Sequence, residues 1–262
     1  MKSDDAFEAF GLRMAAPHAT TRPGSPLRAR GAIGVVVPAH NEEDLIANCL
    51  VAIAAAARAP DVACRAVHVV VVCDACTDRT AEIVESLGHV ALACDARNVG
   101  LARAIGAEAV LARGAEWLAF TDADTTVCSG WLSSQVALQC DVVCGTIGVE
   151  DWDVYGDAMR LHFERTYHDR DGHRHIHGAN LGISAEAYRA VGGFASLPNS
   201  EDVAIVAALE ASGAQIAWSA KPRVVTSARP VFRATAGFGA TLAAVAAAAG
   251  KTPRLAAADS GS

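Results

Sequence analysis

The stretch WLAFTDAD at residues 117–124 joins an apolar run directly to two carboxylates. A continuous apolar run of this length is typical of a strand buried on both faces, as in a parallel sheet. In open α/β sheets, ligands bind at the carboxyl ends of the strands, which is where Asp122 and Asp124 lie. On an extended backbone, residues two apart leave the same face, so both carboxylates can converge on one hard cation or one polar ligand.

Short apolar runs alternate with longer segments of helical periodicity on the amino-terminal side of this stretch. The predicted strands cover residues 33–37, 67–72, 90–94 and 117–121, and the predicted helices cover 42–58, 78 or 79 to 87, and 101–113. This alternation implies right-handed crossovers and a mostly parallel sheet covered on both faces. The sequence therefore predicts an α/β protein.

The alternation is less regular after Asp124. Helices are predicted at residues 131–138, 157–167, 184–190, 201–212 and 234–250, and strands at 142–149, 215–218 and 223–226. A polar stretch rich in His and Arg lies between the second and third of these helices. We expect this half of the chain to form the substrate side.

Composition excludes several classes of protein. The chain has 262 residues, of which 52% are hydrophobic and 19% charged, so it can bury a large core. A net charge of −7 leaves no basic stripe for nucleic acid. Eight cysteines lie mostly within apolar segments, which favours buried thiols in a reducing compartment over a disulfide framework. We find no signal peptide and no apolar run long enough to span a membrane, and expect a soluble cytoplasmic enzyme.

Two clusters allow metal or redox chemistry as alternatives. Cys73 and Cys76 have CxxC spacing, although no second CxxC pair or suitably spaced His pair follows them. His173, His175 and His177 are spaced by two and could chelate a transition metal on one face of a strand, but no acidic or Cys residue adjoins them.

The turn after the first predicted strand reads PAHNEE at residues 38–43. Pro38 is expected to stop the strand and Asn41 to cap the next helix, and exposed backbone amides at the turn could hold a ligand. The alternative is a capped turn that binds nothing.

The next two turns carry further polar side chains. Thr77 or Asp78 is a plausible helix cap, which leaves Asp74 free to accept hydrogen bonds from a nucleobase edge or a ribose. After the third strand, Gly100 allows close backbone approach, and Arg103 lies one helical turn inside, where it suits a diphosphate. A solvated helix charge is the alternative for Arg103. Together with the carboxylates of residues 122 and 124, these turns suit a nucleotide diphosphate with Mg²⁺ or Mn²⁺.

These motifs, in this order, closely resemble those of the family 2 glycosyltransferases, which have the GT-A fold. The resemblance covers roughly residues 32–228 and rests on VVVPAHNEE at 35–43, DACTDRT at 74–80, NVG at 98–100, DAD at 122–124 and ED at 201–202. One departure is CDAC at residues 73–76, where the family often has DDGS.

The resemblance implies a role for each motif. Asp124 would hold Mn²⁺ or Mg²⁺, with Asp122 acting through water or the ribose. Asp202 would be the catalytic base, with Glu201 as its rival; a pair of acids at a helix amino terminus is the alternative for both. The implied nucleotide-binding residues are Pro38, Ala39, His40, Asn41, Glu42, Asp74, Asn98, Gly100, Arg103, Asp122 and Ala123. The candidates for contact with the acceptor or the diphosphate are His177, Asn180, Ser227 and Arg229, and a plain surface loop is the alternative for all four.

The implied activity is inverting, metal-dependent transfer of one sugar from a nucleotide-diphosphate sugar to a small or lipid-linked acceptor. UDP is favoured over GDP or dTDP as the nucleotide. The QxxRW signature of processive synthases is absent. The corresponding domain prediction is a tail at residues 1–30, a GT-A domain at 31–230 and an Ala-rich helix with a polar tail at 231–262. The GT-A domain would divide into a nucleotide half at 31–125 and an acceptor half at 126–230.

Two other functions are alternatives to glycosyl transfer. A nucleotidyltransferase that makes the sugar nucleotide would usually carry a Gly-rich loop with Lys or Arg after the first strand, and HNEE at residues 40–43 does not fit it. The second alternative is a noncatalytic module that binds a nucleotide or a metal through its Cys and His residues.

Overall fold

The structure is a computed structural model that describes residues 31–149, 152 and 156–227. Among these residues, two compact units are distinguished: one holds residues 31–148 and 169–226, and the other holds 149, 152, 156–168 and 227. The predicted segment 1–30, Arg229 and the predicted helix at 234–250 lie outside the described residues.

The larger unit is built on one eight-stranded sheet. Its strands are β1 (Ala32–Ala39), β2 (Val67–Asp74), β3 (Val90–Cys94), β4 (Ala115–Phe120), β5 (Thr125–Val127), β6 (Val142–Val149), β7 (Leu181–Ser184) and β8 (Ile216–Thr226). They are arranged in the order β3-β2-β1-β4-β7-β6-β8-β5. The first four strands are parallel, as the sequence predicts. The pairs β4–β7, β6–β7 and β5–β8 are antiparallel, so the complete sheet is mixed.

Seven α-helices lie within the described residues, together with a 3₁₀ turn at Gly178–Asn180. The helices are α1 (Ile46–Ala57), α2 (Thr80–Ser86), α3 (Val99–Leu111), α4 (Trp131–Ala137), α5 (Asp157–Thr166), α6 (Ala185–Ala190) and α7 (Glu201–Ala211). Of these, α5 belongs to the smaller unit, where Phe163 packs against Trp152 and stacks on Tyr167.

Several details differ from the sequence prediction. Helix α1 begins at Ile46 rather than at residue 42, and the short strands β5 and β7 were not predicted. The two late strands predicted at 215–218 and 223–226 form the single strand β8, which contains Pro222. Pro222 precedes the part of β8 that pairs with β5, which begins at Val224, so its missing N–H removes no bond of that ladder.

Pro38 also lies inside a strand instead of ending it. Strand β1 continues to Ala39, and its pairing with β4 ends at Val36. The Val36 carbonyl accepts a hydrogen bond from Thr121 N, and Pro38, two residues on, faces the same side of the strand. The missing N–H of Pro38 therefore points beyond the end of the β4 ladder, where it costs no hydrogen bond.

Close packing in the buried core positions the elements that carry the motifs. Trp117 and Phe120 of β4 are fully buried, and burying a large apolar side chain contributes about 1.5–3 kcal/mol. Helix α3 approaches the sheet closely: a Cβ on Gly106 would lie 2.4 Å from Val36, and one on Gly34 would lie 2.4 Å from Val110. This close packing places the amino end of α3 at the carboxyl ends of β1, β2 and β4.

Candidate active site

The two carboxylates after β4 have different partners. Asp122 Oδ1 accepts a hydrogen bond from Arg103 Nη2 at 2.6 Å, and the Asp122 side chain is 34% exposed. Asp124 Oδ1 accepts from Thr125 Oγ1 at 3.3 Å and makes a longer contact of 3.5 Å with Thr226 Oγ1. Strand β4 ends at Phe120, and a turn begins at Ala123, so the two side chains are placed by a turn and not by the extended backbone the sequence prediction assumed.

Asp122 and Asp124 both act on the buried thiol of Cys49 in helix α1. Burial raises the pKa of Cys49 strongly, and the negative charges of Asp124 and Asp122 raise it further. The Cys49 Sγ also lies 3.4 Å from the Asp122 carbonyl. The two side chains therefore form one negatively charged area beside helix α1.

Arg103 is enclosed among carboxylates. Its side chain is 4% exposed, and Nη1 donates to Glu201 Oε1 while Nη2 donates to Asp122. Burial alone would lower the pKa of Arg103, but Asp122, Glu201 and Asp202 outweigh it and raise the pKa. The sequence predicts that Arg103 contacts a diphosphate; in the structure its guanidinium donates to two carboxylates of the protein itself.

Glu201 and Asp202 are adjacent in sequence but differ in environment. Glu201 is 5% exposed, and its burial raises the pKa of its carboxyl group despite the neighbouring Arg103. Asp202 is half-buried: Oδ2 accepts from Gly178 N at 2.8 Å, and Oδ1 accepts from Val203 N at 2.8 Å. Of the two acids, Asp202 is the one that solvent can reach.

Two glycines allow this arrangement. A Cβ on Gly178 would lie 2.4 Å from Arg103 Nη2, and one on Gly100 would lie 2.7 Å from the Ala195 carbonyl and 3.1 Å from Glu201. Neither position has room for a side chain. The close approach predicted at Gly100 is observed, with the protein's own backbone as the neighbour.

Asp74, at the end of β2, holds the turn that precedes α3. Its Oδ1 accepts from Ala96 N at 2.7 Å and Arg97 N at 2.8 Å, and its Oδ2 accepts from Asn98 N at 2.8 Å. Burial would raise the pKa of Asp74, but the three backbone donors lower it below the ordinary value. Asp74 therefore has a structural task that sequence reasoning missed.

Asn98 has the position expected of a helix cap. Its Oδ1 accepts from Leu101 N at 2.8 Å at the start of α3, and its Nδ2 donates to the Leu197 carbonyl at 2.8 Å. The second bond connects the cap to the segment that leads into α7.

The turn after β1 is bonded to the turn after β2. His40 Nδ1 lies 2.6 Å from the Asp74 carbonyl, Thr77 N donates to Asn41 Oδ1 at 2.7 Å, and Glu42 N donates to Thr80 Oγ1 at 2.7 Å. Asn41 has a positive φ of 53° and does not cap α1, contrary to the prediction; Leu45 holds that position without a side-chain bond. Pro38 and Ala39 belong to β1, and Ala123 is buried in the turn after β4.

Asp78 lies one residue before Arg79, which holds the cap position of α2 without a side-chain hydrogen bond, so neither Thr77 nor Asp78 is the cap residue that the sequence suggested. Asp78 Oδ1 accepts from Thr80 N at 3.0 Å, at the first residue of that helix. The same carboxylate accepts from Glu43 N through Oδ2 at 3.1 Å, which adds another bond between the two turns.

Asn180 is a buried structural residue. It is 1% exposed, its Oδ1 accepts from Trp131 Nε1 at 2.9 Å, and its Nδ2 donates to the carbonyls of Thr146 and Pro222. Because its amide is used internally, the structure gives no support to the predicted contact of Asn180 with an acceptor or a diphosphate. Ser227 directly follows β8 and is half-exposed, and Arg229 lies outside the described residues.

The three His rings stack along the chain. The ring centroids of His173 and His175 are 5.4 Å apart, and those of His175 and His177 are 6.0 Å apart. Burial and the two neighbouring rings lower the pKa of His177 to about 3, so its imidazole is neutral near pH 7. Within residues 31–149, 152 and 156–227, no group of three or more His, Cys, Asp or Glu side chains is arranged to hold a metal ion.

The CxxC cysteines are not activated. All eight cysteines are free, and burial raises the pKa of Cys73 to about 12 and also raises that of Cys76. Thiolates, not thiols, are the nucleophiles and metal ligands, so these positions do not favour redox or zinc chemistry. None of the helices in the described part of the chain has the length and apolar character that crossing a bilayer requires.

The fold is an α/β sheet with acidic side chains gathered at the carboxyl edge of its parallel strands, the GT-A arrangement. The family model described as Glycosyl transferase family 2 matches residues 34–192, which is more than half of the chain. The chain belongs to this family.

Solved structures share the fold. TarS 1–349 from S. aureus, in complex with UDP-GlcNAc, is 16% identical with a TM-score of 0.62, over 79% of this chain and 61% of that one. The mannosyltransferase PcManGT from Pyrobaculum calidifontis, in complex with GDP-Man and Mn²⁺, is 18% identical with a TM-score of 0.56, over 80% and 61%.

A further TarS structure is 18% identical with a TM-score of 0.58, over 76% of this chain and 37% of that one. The chain thus spans between 37% and 61% of the length of these three structures. No curated protein sequence matches it.

Proposed function

We propose that the chain is an inverting, metal-dependent glycosyltransferase. It would transfer one sugar from a nucleotide-diphosphate sugar, a UDP-sugar by preference, to a hydroxyl group of a small or lipid-linked acceptor. The observation that carries the proposal is the Asp122–Arg103–Glu201 contact, which brings the D-x-D and Glu-Asp motifs together although about 80 residues separate them in the chain. Support for the donor class comes from TarS in complex with UDP-GlcNAc and from a mannosyltransferase in complex with GDP-Man and Mn²⁺.

The residues fit a divalent cation held jointly with a diphosphate. Mg²⁺ usually takes one or two carboxylates and completes its shell with waters and substrate phosphates, so it needs no cage of protein ligands. Asp124 would hold the cation, and Asp122, whose Oδ1 is paired with Arg103, would contribute through water or the ribose. When bound, the cation would supply positive charge opposite the departing diphosphate.

The chain's own residues would divide the remaining work. Asp202 would accept the proton of the acceptor hydroxyl as that oxygen attacks the anomeric carbon from the face opposite the diphosphate, which inverts its configuration. Its partial exposure and its hydrogen bonds from two backbone N–H groups support it over Glu201, whose carboxylate is enclosed and paired with Arg103. The turns after β1 and β2, together with Asp74 and Asn98, would shape the nucleotide site.

The alternatives have less support. The turn after β1, where a nucleotidyltransferase would need a Gly-rich cationic loop, carries an Asn and two Glu residues bonded to the next turn. A noncatalytic metal module would use the Cys and His residues, but the Cys73 thiol is held protonated and the His rings stack.

Hydrolysis of UDP-N-acetylglucosamine and of GDP-mannose in the presence of Mn²⁺ tests the proposal without an acceptor. We expect hydrolysis of one donor, its loss on chelation of the metal, and its loss in Asp124→Asn. Asp95→Asn is the matched control, since Asp95 is an exposed carboxylate that pairs with the exposed Arg97. Absence of both hydrolysis and nucleotide binding across a panel of UDP, GDP and dTDP sugars would overturn it.

A further inference from the structure

We infer that Arg103 is a positioning residue that holds the donor-side carboxylate Asp122 and the base Asp202 in one fixed arrangement. The inference rests on the proposed function and adds a specific role to it. Arg103 does not touch the substrate in this proposal; it acts through Asp122 on one side and through Glu201 and Gly178 on the other.

The guanidinium of Arg103 bonds to two separate parts of the fold. Its Nη1 and Nη2 atoms are committed to carboxylates on two different elements, the turn after β4 and the start of α7. A planar fork fixes the directions of both bonds, whereas a lysine ammonium would satisfy them only as a point charge. Arg103 therefore sets the spacing between the two motifs as well as neutralising them.

The Arg103 side chain is also tightly enclosed. A Cβ on Gly178 would lie 2.4 Å from Nη2 and 2.5 Å from Cζ, so the guanidinium packs directly against the Gly178 backbone. The N–H of the same Gly178 donates to Asp202 Oδ2 at 2.8 Å. A shift of Arg103 would therefore be transmitted to Asp202 by contact.

The effect of Arg103 on activity can be separated from its effect on stability. A buried ion pair contributes little net stability, because desolvation offsets the attraction, and apolar side chains of similar size often replace it without loss. Removing only one partner leaves an unpaired buried charge and is destabilising. The role of Arg103 in activity is therefore best measured in a variant that lacks both Arg103 and the enclosed Glu201, since the remaining partner, Asp122, is 34% exposed and can be solvated.

The experiment compares Arg103→Met/Glu201→Met with Arg103→Lys, Glu201→Gln and the exposed control Arg113→Met. Thermal melting, UDP affinity by calorimetry with Mn²⁺, and kcat and KM for UDP-N-acetylglucosamine hydrolysis are measured for each. We expect the double variant to melt close to the parent and to lose about 10²-fold in kcat, the cost of misplacing a reacting group by about 1 Å. Its UDP affinity should fall much less than its kcat.

Arg103→Lys should fold and keep only part of the parental kcat. Glu201→Gln can still accept a hydrogen bond from Arg103, so it should keep more activity than the double variant. A folded double variant with parental kcat would overturn the inference while leaving the proposed function intact. A Glu201→Gln variant as inactive as the double variant would also overturn it, since Glu201 would then be the base. A parent that neither binds UDP nor hydrolyses any donor would overturn both.

Discussion

The Oδ2 atom of Asp202 accepts a hydrogen bond of 2.8 Å from the backbone N–H of Gly178, which joins the first turn of α7 to the 3₁₀ turn before β7. The neighbouring Glu201 is turned inward to Arg103. The two adjacent acids thus have different environments, because α7 begins where one side chain is enclosed and the other is half-exposed.

Replacing Asp202 should lower turnover strongly and leave nucleotide binding intact. We expect Asp202→Asn to lower kcat by about 10²–10⁴, the usual contribution of a general base, while UDP affinity stays near that of the parent. Steady-state kinetics of donor hydrolysis measure kcat, and calorimetry measures the affinity for UDP. A larger loss of kcat in Glu201→Gln than in Asp202→Asn would assign the base to Glu201 instead.

Adding one methyl group at Gly178 should disturb both stability and activity. The new Cβ would lie within 2.4 Å of Arg103 Nη2, so the guanidinium or the turn must move. We expect Gly178→Ala to cost about 1–3 kcal/mol in the free energy of unfolding. Urea denaturation checks this, with Gly130→Ala as the control, since a Cβ there has no neighbour closer than 3.7 Å. Equal stability of the two variants would contradict the prediction and show that Arg103 can move aside at little cost in free energy.

Asp74 should make stability depend on pH in acid. Its pKa is lowered in the folded state, so its contribution is present above the unfolded pKa of about 3.9 and is lost as the pH falls through the folded pKa. Asp74→Asn should cost about 1–3 kcal/mol near pH 7, because three backbone N–H groups lose a charged acceptor.

Urea midpoints measured between pH 7 and pH 2 check both statements about Asp74. The difference in stability between the parent and Asp74→Asn should shrink as the pH falls below about 4. A difference that stays constant over this range would argue against an ionised, hydrogen-bonded Asp74.

Asn180 should matter for folding and not for substrate contact. Asn180→Ala leaves the Trp131 Nε1–H and the carbonyls of Thr146 and Pro222 without their partner, and we expect a loss of about 2–4 kcal/mol. Differential scanning calorimetry measures it, with the exposed Asn199→Ala as control. A variant with parental stability and a raised KM would instead return Asn180 to the binding site.

Much of the architecture could be predicted because it is encoded locally. The apolar runs that became β1 to β4 are continuous and bounded by polar turns, and the handedness of the crossovers then places those turns at one edge. Short strands such as β7, with four residues, carry too little pattern to be recognised before their partners are known.

The roles of individual polar residues were harder to predict. Arg103 was expected to face a diphosphate and Asn180 a substrate, yet each is buried against residues far away in the chain, Arg103 against Glu201 and Asn180 against Trp131 and Pro222. Thr226, which approaches Asp124, was not singled out at all, because nothing in its local sequence marks it. Gly178 likewise has no local signal, because its importance depends on its contact with Arg103, which is distant in the chain.

The sequence by itself determined the parallel half of the sheet, the order of the motifs and the edge at which they meet, because hydrophobic periodicity and chain chirality act over short ranges. Only the tertiary structure decided which polar groups are enclosed and which are reached by solvent. That division depends on contacts between residues about 20 to 100 positions apart, such as those of Arg103 with Asp122 and Glu201, and no local pattern specifies which partner a buried charge will meet.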